Sequence, residues 1–236
     1  MSSSTATVTK NKKNWFMQFI YSSIGRKILM ALTGLFLIMF LAVHLIGNLQ
    51  LLLPDGGLAF NAYAHFMGHN EIVQIISKGN FFFIVLHIIV SIVLTRANAS
   101  ARPTSYAYSK PGANSTWSSR NMMILGSLVF IFLAVHLVNF YGASKFTTLG
   151  VDEAGNENLY MVVKEAFAQS WLVALYVLGM VALGFHLSHG FWSAFQTLGL
   201  NHVKYTPVIK FVGQVFCILV PALFALIPIW MYVAQL

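Results

Sequence analysis

The chain has 236 residues, of which 58% are hydrophobic and 8% are charged, and its formal net charge is +8. A water-soluble domain carries about a quarter charged residues, so the composition excludes an ordinary soluble globular protein. The basic excess does not indicate nucleic-acid binding, because the basic residues are divided among separate connections between apolar runs. We therefore expect a single membrane domain over residues 1–236.

Five apolar runs follow one another along the chain, and each predicts a helix that crosses the membrane. A spanning helix needs about 20 apolar residues, which is far longer than a barrel strand. Four runs contain no Asp, Glu, Lys or Arg: 28–54, 121–144, 166–203 and 211–236. The run 79–95 has 17 residues and needs residues before Lys78, whose long side chain can extend to the headgroups. The sequence thus predicts an all-α integral membrane protein, a five-transmembrane-helix bundle with spans near 27–52, 74–98, 120–143, 168–195 and 207–233.

The charges of the connections alternate from one side of the predicted bundle to the other. All six acidic residues lie in the connections after the first and third spans. The N-terminal tail and the other two connections carry eleven of the 14 basic residues. The positive-inside rule therefore predicts a cytoplasmic N-terminus and a C-terminus outside. The first apolar run is long enough to remain as an anchor, so no cleaved signal peptide is expected.

Local sequence features predict the shape of one connection and of the last span. The segment 100–119 contains Pro, Gly and Ser throughout, which is typical of an irregular loop. Pro221 and Pro228 are expected to bend the last helix unless neighbouring groups satisfy the freed carbonyls. Cys217 lies inside the same span, where it can form no internal disulfide and is expected to be a small apolar filler.

Each of the first four spans carries a histidine well inside the predicted membrane region: His44, His87, His136 and His186. Ionisable side chains inside a membrane are costly and normally face the bundle interior with a partner. A lone histidine in this setting usually forms a neutral interhelical hydrogen bond. Four histidines on four successive helices, with almost no carboxylate inside the membrane to pair with them, instead favour a bound cofactor.

Depth along the helices divides the four histidines into two pairs. His44 and His136 lie about 24 Å and about 22 Å from the inner ends of their helices, and therefore in the outer half of the membrane. His87 lies about 13 Å from Arg96, and His186 lies about 26 Å from the outer side, so both are nearer the inner face. Zinc or copper would need ligands at one depth. We therefore predict two b-type haems, whose irons are held by His44 and His136 outside and by His87 and His186 inside.

Residues around the histidines fit this prediction, although each also has a simpler explanation. Arg26, Lys27, Arg96 and Arg102 could neutralise haem propionates at the inner face, or serve only as orienting and lipid-contacting charges. Six glycines could let a macrocycle approach the backbone or allow ordinary helix packing: Gly34, Gly47, Gly126, Gly179, Gly184 and Gly190. The string FLAVHL occurs at 40–45 and again at 132–137, so two helices present a histidine in the same setting.

The histidine-bearing strings resemble those of the cytochrome b membrane-anchor subunit of succinate dehydrogenase and fumarate reductase complexes, in the type with one five-helix anchor and two haems. The resemblance covers the whole chain and is carried by SSIGRKILMALTG (22–34), FLAVHLIGN (40–48), FFIVLHIIVSIVLTR (82–96), FLAVHLVNF (132–140) and FHLSHGFWSAFQTLG (185–199). The last string selects His186 as the ligand. His189 would then hydrogen-bond near the inner haem or simply pack.

The resemblance implies a quinone-reactive electron-transfer subunit with no dicarboxylate chemistry of its own. A flavoprotein subunit with FAD and an iron–sulfur subunit would dock on the cytoplasmic face. Electrons would pass between succinate or fumarate and a membrane quinone, usually menaquinone, in the respiratory chain of a bacterial inner membrane.

The quinone-site candidates lie in the first outer connection: His65, His69 and Glu71. In the family an acidic residue in this region serves quinol oxidation, and Glu71 is the nearest match. A solvated loop with a helix cap at Asn70–Glu71 is the simpler alternative. The family's fumarate reductases also carry an acidic residue just before the fourth-span ligand, where this chain has Gly184 and Phe185. At this point the chain departs from the family's pattern, so the resemblance does not extend to a proton path of that kind.

Two other functions compete with this interpretation. A cytochrome b anchor of a hydrogenase or formate dehydrogenase also uses histidines inside the membrane, but typically over four spans. A haem-free proton-coupled transporter could use the histidines as a proton relay, yet transporters usually show inverted repeats, broken helices and carboxylates inside the membrane. The sequence shows none of these three features clearly.

Overall fold

The structure, a computed structural model, describes residues 14–101 and 110–236. Within these ranges the chain forms helices and connections, without a β-strand element. The helices are α1 (Trp15–Tyr21), α2 (Ser23–Leu49), α3 (Leu58–His69), α4 (Glu71–Ser100), α5 (Pro111–Asn114), α6 (Trp117–Arg120), α7 (Met122–His136), α8 (Ala143–Phe146), α9 (Leu159–Phe167), α10 (Ser170–Thr197) and α11 (Thr206–Val233). A 3-10 turn, Gln50–Leu52, extends α2, and a π-helical segment, Leu137–Gly142, joins α7 to α8.

Five helical segments are long and apolar enough to cross a membrane: Ser23–Leu52, Glu71–Ser100, Met122–Phe146, Ser170–Thr197 and Thr206–Val233. No end of a segment lies more than four residues from its predicted position. The prediction of an all-α bundle with five helices long and apolar enough to cross a membrane is therefore confirmed for the described residues. We call the side at which α2 begins the inner side and the side at which it ends the outer side; the placement of the inner side in the cytoplasm remains a prediction.

The four helices that carry the predicted ligands form a bundle with two diagonals. The helix α2 packs closely against α4 and α10, and α10 also packs closely against α7. The rings of Phe81 and Tyr141, 5.0 Å apart, join α4 to the π-helical segment after α7 and close the fourth side. The pairs α2–α7 and α4–α10 are not closely packed and therefore lie across the bundle from each other. The last helix, α11, covers α10 and α2 from outside this group.

The last spanning helix continues through both of its prolines. Pro221 has no N–H to bond the Cys217 carbonyl, and that oxygen faces α10. A Cβ atom at Gly184 would lie 3.3 Å from the Cys217 oxygen and 3.8 Å from Pro221 Cγ. Gly184 therefore allows the backbone of α10 to approach the freed carbonyl. The Cys217 side chain is buried in a cluster with Met180 and Leu183, as expected of an apolar filler.

The connections contain more helix than the sequence predicted. Of the segment 100–119, expected to be an irregular loop, residues 111–114 and 117–120 form short helices, and 102–109 lie outside the described residues. The outer connections contain α3 and α9, and α1 precedes the first span. The prediction of an irregular loop is therefore correct only in part, because Pro111 and Thr116 are favourable residues for beginning a helix.

The buried side chain of Asn61 joins the two outer connections. Asn61, on α3, is 1% exposed, and its Nδ2 donates to Asp152 Oδ2 at 3.1 Å and to Asn158 Oδ1 at 3.2 Å. The backbone N–H of Tyr160 donates to Asn61 Oδ1 at 2.8 Å. These bonds fix α3 against the segment that leads into α9. On its other side α3 contacts the outer end of α2, so it lies directly above the bundle.

Candidate functional site

The outer histidine pair joins one diagonal of the bundle. His44 on α2 and His136 at the end of α7 have ring centres 5.7 Å apart and ring planes 89° to each other. Phe40 stacks on His44 with ring centres 5.2 Å apart, and Phe132 stacks on His136 at 5.7 Å. Each phenylalanine lies four residues before its histidine, on the same helix face. The repeated string FLAVHL therefore builds the same stacked Phe–His arrangement on two helices.

The inner histidine pair joins the other diagonal. His87 on α4 and His186 on α10 have ring centres 6.3 Å apart and ring planes 68° to each other. A Cβ atom at Gly34 would lie 3.6 Å from His87 Cε1, and one at Gly126 would lie 3.8 Å from His186 Cε1. The two glycines on α2 and α7 therefore face the rings of the inner pair.

The positions of Gly34 and Gly126 give the distance between the two histidine pairs along the bundle. Gly34 is ten residues before His44 on α2, and Gly126 is ten residues before His136 on α7. At 1.5 Å per residue, both helices place the inner and outer pairs about 15 Å apart along the bundle. The structure thus places the four predicted ligands in two pairs at two depths.

The hydrogen bonds of the four rings differ. His87 Nδ1 lies 3.0 Å from Thr33 Oγ1, and His136 Nδ1 lies 3.4 Å from the Tyr176 hydroxyl. The two ring nitrogens of His44 lie 3.4 and 3.5 Å from Asn48 Nδ2, which also donates to the His44 carbonyl at 2.8 Å. His186 Nδ1 is buried without a partner. Interhelical hydrogen bonding therefore does not account for all four histidines.

The geometry of both pairs fits two imidazoles on one haem iron. A metal–imidazole bond is about 2 Å long, so two ligands on opposite sides of an iron have ring centres about 6 Å apart. The observed separations are 5.7 and 6.3 Å. Within the described residues, no three His, Cys, Asp or Glu side chains converge in a way that could hold a metal ion. The donor set, two neutral imidazoles across a diagonal, thus fits haem better than a zinc or copper site.

For three of the six glycines the structure supports close helix packing, one of the two explanations that the sequence left open. Gly34 and Gly126 face the inner pair, whereas a Cβ at Gly190 would meet nothing within 4 Å. A Cβ at Gly47 would lie 2.4 Å from Tyr63, and one at Gly179 would lie 2.6 Å from Phe132. Together with Gly184 against α11, these two positions serve close packing between helices.

The predicted propionate-binding residues lie at the inner ends of their helices. Arg26 is half-buried on α2, and Lys27 and Arg96 are exposed on α2 and α4. None of the three hydrogen-bonds a histidine of either pair. Arg102 lies outside the described residues. Their role toward a haem propionate therefore stays a prediction.

The quinone-site candidates lie on the outer surface. His65 and His69 follow each other by one turn of α3, and their rings stack with centres 4.0 Å apart. Both are exposed, as is Glu71 at the start of α4. Asn70 caps α4, because its side chain accepts from the Val73 N–H at 3.1 Å. The simpler alternative is thus correct about the helix cap, although residues 58–69 form a helix instead of a loop.

The first outer helix is held close to the outer histidine pair. The Tyr63 ring of α3 packs on Gly47, three residues from His44. The candidates His65 and His69 are therefore on a helix adjacent to that pair, and their role toward a quinone stays a prediction. On the inner side, His189 is half-buried and makes no hydrogen bond within the described part of the chain.

Sequence reasoning missed several residues that contact the histidines. These are Thr33, Asn48 and Tyr176, which lie beside His87, His44 and His136. Each is a polar side chain within an uncharged span, which is itself a signal of an interior partner. The π-helical segment after His136 was also not predicted, and it carries Asn139, whose Nδ2 is buried. Such segments occur frequently at functional sites.

Comparison with known proteins does not assign the chain to a family, since no protein-family model, curated protein or solved structure matches it. The fold and the site themselves define a class: an all-α, multi-pass membrane protein with two histidine pairs across the diagonals of a four-helix group.

Proposed function

We propose that the chain is a dihaem cytochrome b membrane anchor of a succinate:quinone oxidoreductase, which passes electrons between an iron–sulfur subunit and a membrane quinone. The observation that carries the proposal is the pairing of four histidines into two sites with ring centres 5.7 and 6.3 Å apart. The resemblance of the sequence strings to that family supports the choice of complex. Bound haem supplies an iron that accepts and releases one electron without a change of ligands.

The residues of this chain hold and shield the two proposed sites. His44 and His136 would hold the haem iron of the outer site, where Phe40 and Phe132 stack on the imidazole rings and restrict their rotation. His87 and His186 would hold the haem iron of the inner site. Gly34 and Gly126 leave the space beside the rings free of side chains. The separation of about 15 Å along the helices gives one site near each face of the membrane.

The partners follow from the same proposal. A flavoprotein subunit with FAD and an iron–sulfur subunit dock on the inner side, which the charge pattern assigns to the cytoplasm. The resemblance to the family adds that the membrane is the inner membrane of a bacterium. Menaquinone is the proposed quinone. Its candidate contacts are on the outer helix α3 and at the start of α4: His65, His69 and Glu71.

A pyridine-haemochrome assay on the purified full-length chain tests the proposal. We expect two b haems per chain, and a reduced-minus-oxidised spectrum with two components. Replacing His44 or His136 by alanine removes one component, and replacing His87 or His186 removes the other. His202→Ala is the matched control, since it removes an exposed histidine outside the spans and leaves both components in place.

Two results contradict the proposal at different levels. A chain that purifies without haem excludes a cytochrome and makes the proton-coupled transporter the favoured function. Loss of the same spectral component in His44→Ala and His87→Ala contradicts the proposed pairing of the histidines.

The partners that co-purify with the chain identify the complex. A flavoprotein with covalent or tightly bound FAD supports the succinate or fumarate enzyme, whereas a hydrogenase or formate dehydrogenase subunit supports the alternative anchor.

A further inference from the structure

Thr33 is one of the most deeply buried side chains of the bundle, and it touches a proposed haem ligand. It lies in the middle of α2 and is 1% exposed. Its Oγ1 is 2.8 Å from the Leu29 carbonyl oxygen and 3.1 Å from that of Met30, both on its own helix. The same Oγ1 is 3.0 Å from His87 Nδ1 on α4. Thr33 thus links the backbone of one span to a histidine of another.

The direction of the bond between Thr33 and His87 depends on which ring nitrogen of His87 carries the hydrogen. A hydroxyl has one hydrogen to donate and two lone pairs to accept with, whereas a carbonyl oxygen can only accept. The Thr33 hydroxyl can therefore donate to a carbonyl of its own helix and at the same time accept from a hydrogen on His87 Nδ1. Neutral imidazole carries only one N–H. His87 Nε2 is then left with the free electron pair that a metal ion requires.

We propose that Thr33 is a positioning residue of the inner site, which holds His87 in its Nδ1–H tautomer and fixes the orientation of the ring. The inference rests on the proposed function, because it assigns Thr33 a role toward a haem ligand. An N–H that donates to a fixed acceptor also makes the ligating imidazole more basic. Thr33 therefore stabilises the oxidised state of the inner iron and lowers its midpoint potential.

Of the four proposed ligand histidines, only His87 hydrogen-bonds Thr33 in the described residues. The corresponding distances are 3.4 Å for His136 to Tyr176 and 3.4 Å for His44 to Asn48, and His186 Nδ1 has no partner. Thr33–His87 is the shortest side-chain hydrogen bond that any of the four rings makes in the described residues. Its removal should therefore change the inner site and leave the outer site as it is.

A purely structural role for Thr33 would predict a different result. The hydroxyl also bonds its own helix, and α2 packs closely against α4, so Thr33 could serve only the packing of two spans. Loss of packing lowers the stability of the chain but does not change one redox potential selectively. The midpoint potential of each haem component therefore separates the two roles.

The experiment is a redox titration of the full-length, haem-loaded chain, with the inner component defined as the one that His87→Ala removes. Thr33→Val keeps the shape of the side chain and removes the hydroxyl, and Thr33→Ser restores it. Loss of such a supporting partner typically costs about 10–100-fold in metal affinity or activity. We expect Thr33→Val to raise the midpoint potential of the inner haem by about 59 mV, which is a tenfold shift of its equilibrium toward the reduced form. The midpoint potential of the outer haem should stay unchanged.

Two variants serve as controls. Thr33→Ser should titrate like the unaltered chain, because its hydroxyl can make the same bonds. Ser144→Ala removes a comparable back-bond on α8, from Ser144 Oγ to the Tyr141 carbonyl at 3.0 Å, two turns beyond His136, and should leave both potentials in place. If Thr33→Val does not accumulate, Thr33→Ala removes the same hydroxyl with less bulk and is expected to show the same shift.

The outcomes separate this inference from the proposed function. Two haems with unaltered potentials in the Thr33 variants overturn the role of Thr33 and leave the dihaem proposal standing. An equal shift in Thr33→Ser, or an equal shift of both components, also overturns it. Absence of haem from the unaltered chain overturns the proposed function, and this inference with it.

Discussion

Replacing Gly179 by alanine is expected to disturb the outer pair, although Gly179 touches neither histidine. A Cβ atom at this position of α10 would lie 2.6 Å from Phe132 Cδ2, 2.8 Å from Cγ and 3.1 Å from Cβ. These atoms belong to the stem and the near edge of the ring, so rotation of the ring alone cannot relieve the contact. Phe132 must shift, and its stacking on His136 shifts with it.

The expected change in the stability of the Gly179→Ala variant is the sum of two opposing effects. Alanine is favoured over glycine inside a helix by about 0.5–1 kcal/mol. The extra methyl group in a packed interior costs about 1–3 kcal/mol. Gly79→Ala on α4 is the matched control, because a Cβ there would meet nothing within 4 Å and only the favourable effect remains. We therefore expect the Gly179 variant to be about 1–3 kcal/mol less stable than the Gly79 variant.

Thermal denaturation of the two variants in the same detergent measures this difference, and haem spectra of the same samples show which site is affected. We expect the Gly179 variant to lose the component that His136→Ala also removes, and to keep the other. Equal stability of the two variants, with the outer component intact, would show that Phe132 has room to move and that the steric argument is wrong.

Three other predictions concern the packing and the outer surface. Gly184→Val should destabilise the α10–α11 contact by about 1–3 kcal/mol, measured by thermal denaturation, because its side chain would crowd the Cys217 carbonyl. Asn61→Ala should cost about 1–3 kcal/mol in the same assay, since it removes three hydrogen bonds made by a buried side chain. Acid should loosen the outer connections: the backbone N–H groups of Ala59 and Gly57 hold the pKa of Asp55 below its usual value. The stability that ionised Asp55 contributes is fully present above about pH 4, which is the pKa of Asp55 in the unfolded chain, and it is lost as the pH falls through the lower pKa of the folded state. Proteolysis of the outer loops at graded pH would detect this loss.

The spans could be predicted from the sequence because the physical requirement is simple. A run without charges that is long enough to cross the membrane has few alternatives to a helix, so the five spans are correct to within four residues at each end. The grouping of His44 with His136 and of His87 with His186 followed from depth alone. Helix length fixes the depth of a residue, and the direction of each span follows from the order of the connections.

The parts that the sequence did not predict depend on contacts between distant residues. Nothing in the string around Thr33 indicates that its hydroxyl meets His87, 54 residues further along the chain. The burial of Asn61 likewise depends on residues that follow it by more than 90 positions. The short helices of the connections were missed because segments rich in polar residues have no strong hydrophobic period, so caps such as Thr116 and Asn158 decide where these helices begin.

The crossing of the two diagonals has a consequence for how the membrane domain is made. The outer pair requires the first and third spans, and the inner pair requires the second and fourth, so the two sites are interlocked. As the chain is synthesised from its N-terminus, the outer pair cannot exist before α7 has entered the membrane, nor the inner pair before α10. Neither half of the chain can assemble a finished site alone, so insertion of the fourth span is the earliest step at which both sites are complete.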